Sequence, residues 1–160
     1  EGGGGEETAG NEFDLLGELW TRVVRPTKRL IMAVLETDIM NGRGQKIHTY
    51  CWRPEEGHPP RGVAFLMHGF RTHTGFNFLV SNAANQQYGI YEGSFVDQLV
   101  QAGLVVCAHD HEGHGKSEGM PRAYFESMSG LKEDALLVVD WALEQDPTLK
   151  NVPKFMIGHS

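Results

Sequence analysis

The chain has 160 residues, a formal net charge of −7, 40% hydrophobic and 22% charged residues. A chain of this length supports one domain that buries about 70% of its unfolded surface. Its acidic balance excludes both the basic footprint of a nucleic-acid binder and adsorption to anionic lipid by charge alone.

Residues Glu1 to Asn11, rich in glycine and carrying Glu1, Glu6 and Glu7, hold too little apolar surface to order themselves. They read as a disordered tail, and residues 12–160 as one domain. From Glu12 to Val24, the residues Phe13, Leu16, Leu19, Trp20 and Val23 recur at helical spacing until Pro26. The polar face of this segment offers Glu12, Asp14 and Glu18 rather than the Lys/Arg of an interfacial anchor, which predicts a packed helix. No segment shows the basic and apolar halves of a secretory leader or the ~18 apolar residues of a membrane span, so a cytoplasmic location is the default.

Ile31 to Thr37 and Lys46 to Arg53 predict two strands joined across Asn41-Gly42-Arg43-Gly44, a hairpin signal loose enough for a bulge or longer loop. Pro54 to Pro60 reads as a loop. Val63 to Met67, Leu104 to Ala108 and Lys154 to Ile157 are expected to be strands buried on both faces. Cys51 and Cys107 fall inside such runs and read as buried free thiols, too few for a disulfide scaffold. Glu92 to Ala102 places Phe95, Val96, Leu99 and Ala102 on one helical face ahead of a capping Gly103. Leu131 to Gln145 does the same with Leu131, Ala135, Val138 and Ala142, and stops before Asp146-Pro147. The order predicts an α/β fold: an antiparallel hairpin followed by parallel strands with right-handed crossover helices.

Three loops follow the three apolar strands, where ligand and catalytic groups collect in open α/β sheets. In the first, His68-Gly69-Phe70, a glycine just past the strand lets the next N–H turn inward, although such a pair is commonly a simple turn. The second, His109 to Gly119, holds His109, His111 and His114, residue types that suit zinc. Its spacing resembles the His-x-His-x-Asp-His box of metallo-β-lactamase-like hydrolases, but Gly113 stands in the aspartate's place. Gly115 and Gly119 suit instead a compact turn braced by polar side chains. The third loop is Gly158-His159-Ser160, the first half of a nucleophile elbow, Gly-x-Ser-x-Gly.

Taken together, His68-Gly69-Phe70, Ala108 to Gly119 and Ile157-Gly158-His159-Ser160 resemble the α/β-hydrolase branch of monoacylglycerol lipases and lysophospholipases, in order and in separation. The resemblance runs from about Ile31 to Ser160, and Arg71 to Tyr91 is longer than the family's usual segment. It implies that Ser160 is the nucleophile, forming an acyl-enzyme that water clears, and that the Phe70 N–H is one oxyanion-hole donor. It implies supporting roles for His68, Gly69, Asp110, Gly113, His114, Gly115, Ser117, Gly158 and His159.

A lipid ester, monoacylglycerol or lysophospholipid, is the implied substrate, with no cofactor and no metal, and peripheral membrane contact is compatible with it. In this fold the acid and base follow the serine in the chain. The sequence is therefore expected to be an incomplete N-terminal part, inactive alone, whose partner is the missing C-terminal half of the same chain. Two other readings stay open: a non-catalytic α/β binding module completed by a partner chain, and a metal-dependent hydrolase using His109, His111 and His114.

Overall fold

The computed structural model describes residues 33–54, 59–82, 84 and 86–160. The predicted tail at 1–11 and helix at 12–24 lie outside the described residues. Strands β1 (Ala33–Met40) and β2 (Lys46–Arg53) pair antiparallel, from Ala33 opposite Arg53 to Met40 opposite Lys46. At the turn the Asn41 N–H donates to the Gln45 carbonyl at 2.9 Å, and Gly44 takes a φ of 76°, a conformation that glycine adopts without steric cost.

The chain continues through β3 (Gly62–Met67), a short helix α1 (Thr74–Phe78) and a small hairpin of β4 (Val80–Asn82) and β5 (Gln87–Ile90). Helix α2 (Phe95–Gln101) leads to β6 (Leu104–His109). Helix α3 (Met128–Gln145) and a 3-10 turn (Pro147–Asn151) lead to β7 (Lys154–Gly158). The main sheet has the order β1-β2-β6-β3-β7, antiparallel across β2/β6 and parallel across β6/β3 and β3/β7. This is the expected α/β arrangement of a hairpin followed by parallel strands.

The continuous apolar runs of β3 and β6 follow from burial on both faces. Ala64 and Leu66 pack with Tyr50, Trp52, Val106 and Ala108 beneath Phe78, Val96 and Val100 of α1 and α2. Their neighbours Val63 and Phe65 point the other way, with Val105 and Cys107, towards Ala142 of α3 and Leu149. The step from β3 to β6 and the return from β6 past β3 to β7 run in opposite directions. Right-handed crossovers therefore place their helices on opposite faces.

Three details differ from the sequence reading. Strand β7 is not buried on both faces: Phe155 is 48% and Met156 56% exposed. It is the edge of the described sheet, and the longer helices pack over β2 and β6 instead. Helix α2 begins later than expected because the Ser94 side chain accepts the Asp97 N–H. Helix α3 begins earlier because Ser127 does the same for Gly130. The stretch from Arg71 to Tyr91, which carried no assignment, holds α1 and the β4–β5 hairpin. Among the described residues no helix is long and apolar enough to cross a membrane.

Candidate active site

Parallel pairing brings the carboxyl ends of β6, β3 and β7 level: Met67 lies opposite His109 on one side and Gly158 on the other. The three loops thus leave the sheet side by side. The His159 N–H donates to the Met67 carbonyl at 2.9 Å, carrying the β3–β7 ladder one residue past the strand. Gly69 then passes so close that a Cβ there would stand 3.1 Å from the His159 carbonyl oxygen and 3.3 Å from the Ser160 carbonyl carbon. A side chain at 69 would fit only if these neighbours shifted by a few tenths of an ångström. At Gly158 an added Cβ would meet nothing within 4 Å.

The Gly69 N–H donates to the Asn77 side-chain oxygen at 3.0 Å, which also accepts the Thr72 hydroxyl. No acceptor among the described residues takes the Phe70 N–H. Phe70 and Ser160 share a cavity of about 220 Å³. Its apolar wall is Phe70, Phe125, Met128 and Leu131, and its polar side is His68, His111, His114 and His159.

The imidazoles beneath this cavity are locked to one another. His68 Nε2 accepts the His111 backbone N–H at 2.9 Å, so its proton sits on Nδ1, 2.8 Å from the Gly69 carbonyl. His111 Nε2 donates to the His68 carbonyl at 2.9 Å, which leaves His111 Nδ1 to accept from His109 Nε2 at 3.1 Å. The bond that His68 accepts at Nε2 requires a neutral His68, and the bond between His109 and His111 requires one of those two rings to be neutral. Burial pushes His68 down to about 4, helped by the charge His111 would carry. Burial first, and then the neighbouring rings, drives His109 well below its ordinary value. His111 is also lowered, chiefly by burial. Among the described residues no hydrogen bond joins these imidazoles to Ser160.

His114 donates from Nδ1 to the Glu112 carbonyl at 2.7 Å, and its buried Nε2 has no partner among the described residues. Its ring lies edge-on to Phe70, with centroids 5.9 Å apart.

The loop after β6 is built around Asp110, which is fully buried. One carboxylate oxygen accepts the Thr74 N–H at 2.9 Å. The other accepts the Lys116 N–H at 2.8 Å and the Tyr50 hydroxyl at 3.3 Å. The Ser117 hydroxyl donates to the Asp110 carbonyl and accepts the His48 N–H, stitching the loop to β2. Gly115 passes directly over Asp110, where a Cβ would overlap the carboxylate. Gly113, at φ 72°, would place a Cβ 2.4 Å from the Tyr124 carbonyl. Arg122 closes the loop by donating to the Ser117 and Gly115 carbonyls.

Among the described residues no group of three or more His, Cys, Asp or Glu side chains is arranged to hold a metal ion. A larger cavity of about 670 Å³ is lined by Tyr50, His73, Phe76, Tyr88 and Lys116 among others, and Ser160 is not among its lining residues. As site residues the sequence pointed to neither Asn77, Thr72, Thr74 and Tyr50 nor the wall residues Phe125 and Met128, and it gave Leu131 only as part of a helical face. Helical periodicity identifies such a face but not a pocket, and Met128, 71% exposed, lies ahead of the periodic run.

The model of the family described as serine aminopeptidase, S33 (Hydrolase_4) matches residues 58–160. Over 117 residues the chain is 35% identical to the monoacylglycerol lipase of Mycolicibacterium smegmatis, covering 73% of this chain and 34% of that protein. Over 122 residues it is 31% identical to human monoglyceride lipase, covering 76% and 33%. A thermostable carboxyl esterase from Bacillus coagulans, solved with glycerol, superposes with a TM-score of 0.57 at 24% identity over 81% of this chain and 37% of that one, a likeness of fold. The chain spans about one third of the length of the curated relatives it matches. A family match over more than half of the chain, joined to this sheet and these strand-end loops, shows that the chain belongs to the serine aminopeptidase S33 family of α/β-hydrolases, on its monoacylglycerol lipase-like branch.

Proposed function

We propose that the protein to which this chain belongs is a serine hydrolase that cleaves the ester of a monoacylglycerol or lysophospholipid. The observation that supports this reading is the seating of Gly69 against His159 and Ser160, with Phe70, whose N–H meets no acceptor among the described residues, and Ser160 lining one cavity with an apolar wall. Ser160 Oγ attacks the ester carbonyl, the glycerol-side alcohol leaves, and water hydrolyses the acyl-enzyme. The Phe70 N–H stabilises the oxyanion, a contribution of about 2.7–4 kcal/mol for one such donor. Residues beyond Ser160 in the parent protein supply the second donor, the acid and the base, in the chain order of this fold. The wall of Phe70, Phe125, Met128 and Leu131 receives acyl carbon. The names of the relatives support the lipid ester as substrate class.

The test is hydrolysis of a long-chain monoacylglycerol and a lysophospholipid by the parent protein, side by side with its Ser160→Ala variant. Loss of the nucleophile is expected to lower kcat by about 10⁴-fold or more. A fluorophosphonate probe should label the peptide that contains Ser160. Wild-type turnover in Ser160→Ala, or labelling at another residue, would overturn the assignment.

A further inference from the structure

The two cysteines are a pair of nucleophilic side chains in contact outside the candidate site. Cys51 on β2 lies directly opposite Cys107 on β6, and their sulfurs are 3.3 Å apart, with Cys107 donating. Both are free and buried, Cys107 completely and Cys51 at 8% exposure.

Their place in the ladder also matters. The Asp110 N–H donates to the His48 carbonyl, which marks 48 and 110 as a hydrogen-bonded position. Antiparallel ladders alternate, so Tyr50/Ala108 is hydrogen-bonded and Cys51/Cys107 is not. Such non-bonded pairs hold their Cα atoms about 4.5 Å apart, inside the ~4.4–6.8 Å span a disulfide bridges. Closing the sulfurs to ~2.05 Å then takes side-chain rotation within a fixed sheet.

We propose that Cys51 and Cys107 are an oxidation site that a hydroperoxide converts, in the folded protein, into a cross-strand disulfide. The Cys51 thiolate attacks the hydroperoxide, giving the Cys51 sulfenic acid and releasing alkoxide, which takes a proton to leave as alcohol. The Cys107 sulfur then displaces the sulfenic oxygen, which leaves as water. Two thiols and one hydroperoxide become a disulfide, an alcohol and water. The asymmetry of the pair sets the order. The hydrogen bond from Cys107, with help from Arg53, lowers the Cys51 thiol, whereas Cys107 is raised by its bond to Cys51 and by burial. Cys51 is also the less buried residue of the two, at 8% exposure against 0%. The product ties β2 to β6 beneath the loop braced by Asp110, and links residues 56 apart in sequence.

The test is exposure of the native, full-length protein to one equivalent of hydrogen peroxide, followed by alkylation in denaturant and a non-reducing peptide map. The expected product is a linked peptide pair containing Cys51 and Cys107, two hydrogens lighter than its parts, and a unfolding midpoint in urea that rises and returns on reduction. In Cys107→Ala, dimedone should trap the Cys51 sulfenic acid; in Cys51→Ala, Cys107 should stay unoxidised. Full alkylation of both residues after peroxide, oxidation of Cys51 to the sulfinic acid beside an intact Cys107, or cross-linking only between molecules would each overturn the proposal.

Discussion

Asp110 offers the sharpest test of whether the histidine-rich loop is scaffold or chemistry. Its fully buried carboxylate accepts the Thr74 N–H at 2.9 Å and the Tyr50 hydroxyl at 3.3 Å in buried bonds and the Lys116 N–H at 2.8 Å in a part-buried one. Hydrogen bonds to a charged acceptor contribute about 1.5–3 kcal/mol each. Asp110→Ala strands a buried N–H, a buried hydroxyl and a part-buried N–H, so the parent protein should lose about 4 kcal/mol, a large part of the 5–15 kcal/mol that domains typically have.

Asp110→Asn keeps one acceptor oxygen but turns an NH₂ against one of the two N–H donors, and should cost about 2 kcal/mol. Tyr50→Phe removes only the longest of the three bonds and should cost about 0.5–1 kcal/mol. Urea unfolding followed by circular dichroism gives these values, and ester hydrolysis measured well below the midpoint gives kcat in the folded fraction. The variants should rank Ala, Asn, Phe in lost stability, with surviving turnover in whatever fraction folds. Asp110→Ala as stable as wild type, or stable and inactive, would refute the bracing role and place Asp110 in the chemistry.

Two further outcomes are expected. Gly113→Ala forces a side chain into φ 72° with its Cβ 2.4 Å from the Tyr124 carbonyl; it should cost about 2–3 kcal/mol, whereas Gly42→Ala, with nothing within 4 Å, should stay within about 0.5 kcal/mol. Equal midpoints for the two variants in urea would count against the loop packing described. Stability should also fall as the solution is acidified: His68 drops from 6.5 to about 4 on folding, so the unfolded chain binds the proton first. Its contribution is fully present above about pH 6.5 and is lost towards about pH 4, some 3 kcal/mol in all. His109 and His111 shift the same way and steepen the slope. Urea midpoints from about pH 7.5 to about pH 5 read it before the acidic groups titrate, and a flat profile would contradict the neutral imidazole chain.

The residues by themselves determined the periodic elements and the chemical motifs. The runs at Val63 to Met67 and Leu104 to Ala108 read as strands covered on both faces, and the glycine-punctuated loops after them as strand ends, because these signals are local. Gly-x-Ser after a strand, together with two further strand-end loops in the right order, carried the hydrolase reading without any coordinates.

Tertiary structure decided everything that depends on which element lies beside which. The insertion of β6 between β2 and β3 set Cys51 against Cys107 and gave Asp110 the Tyr50 hydroxyl of a strand 60 residues away. The edge position of β7 left Phe155 and Met156 exposed where their composition alone predicted burial. The same apolar residue is buried or exposed according to its neighbours across the sheet, and hydrophobic pattern carries no record of strand order. For the same reason His109 and His111, which with His114 suit a metal in one dimension, are in three bonded to each other and through backbone groups to His68, while His114 bonds the Glu112 carbonyl.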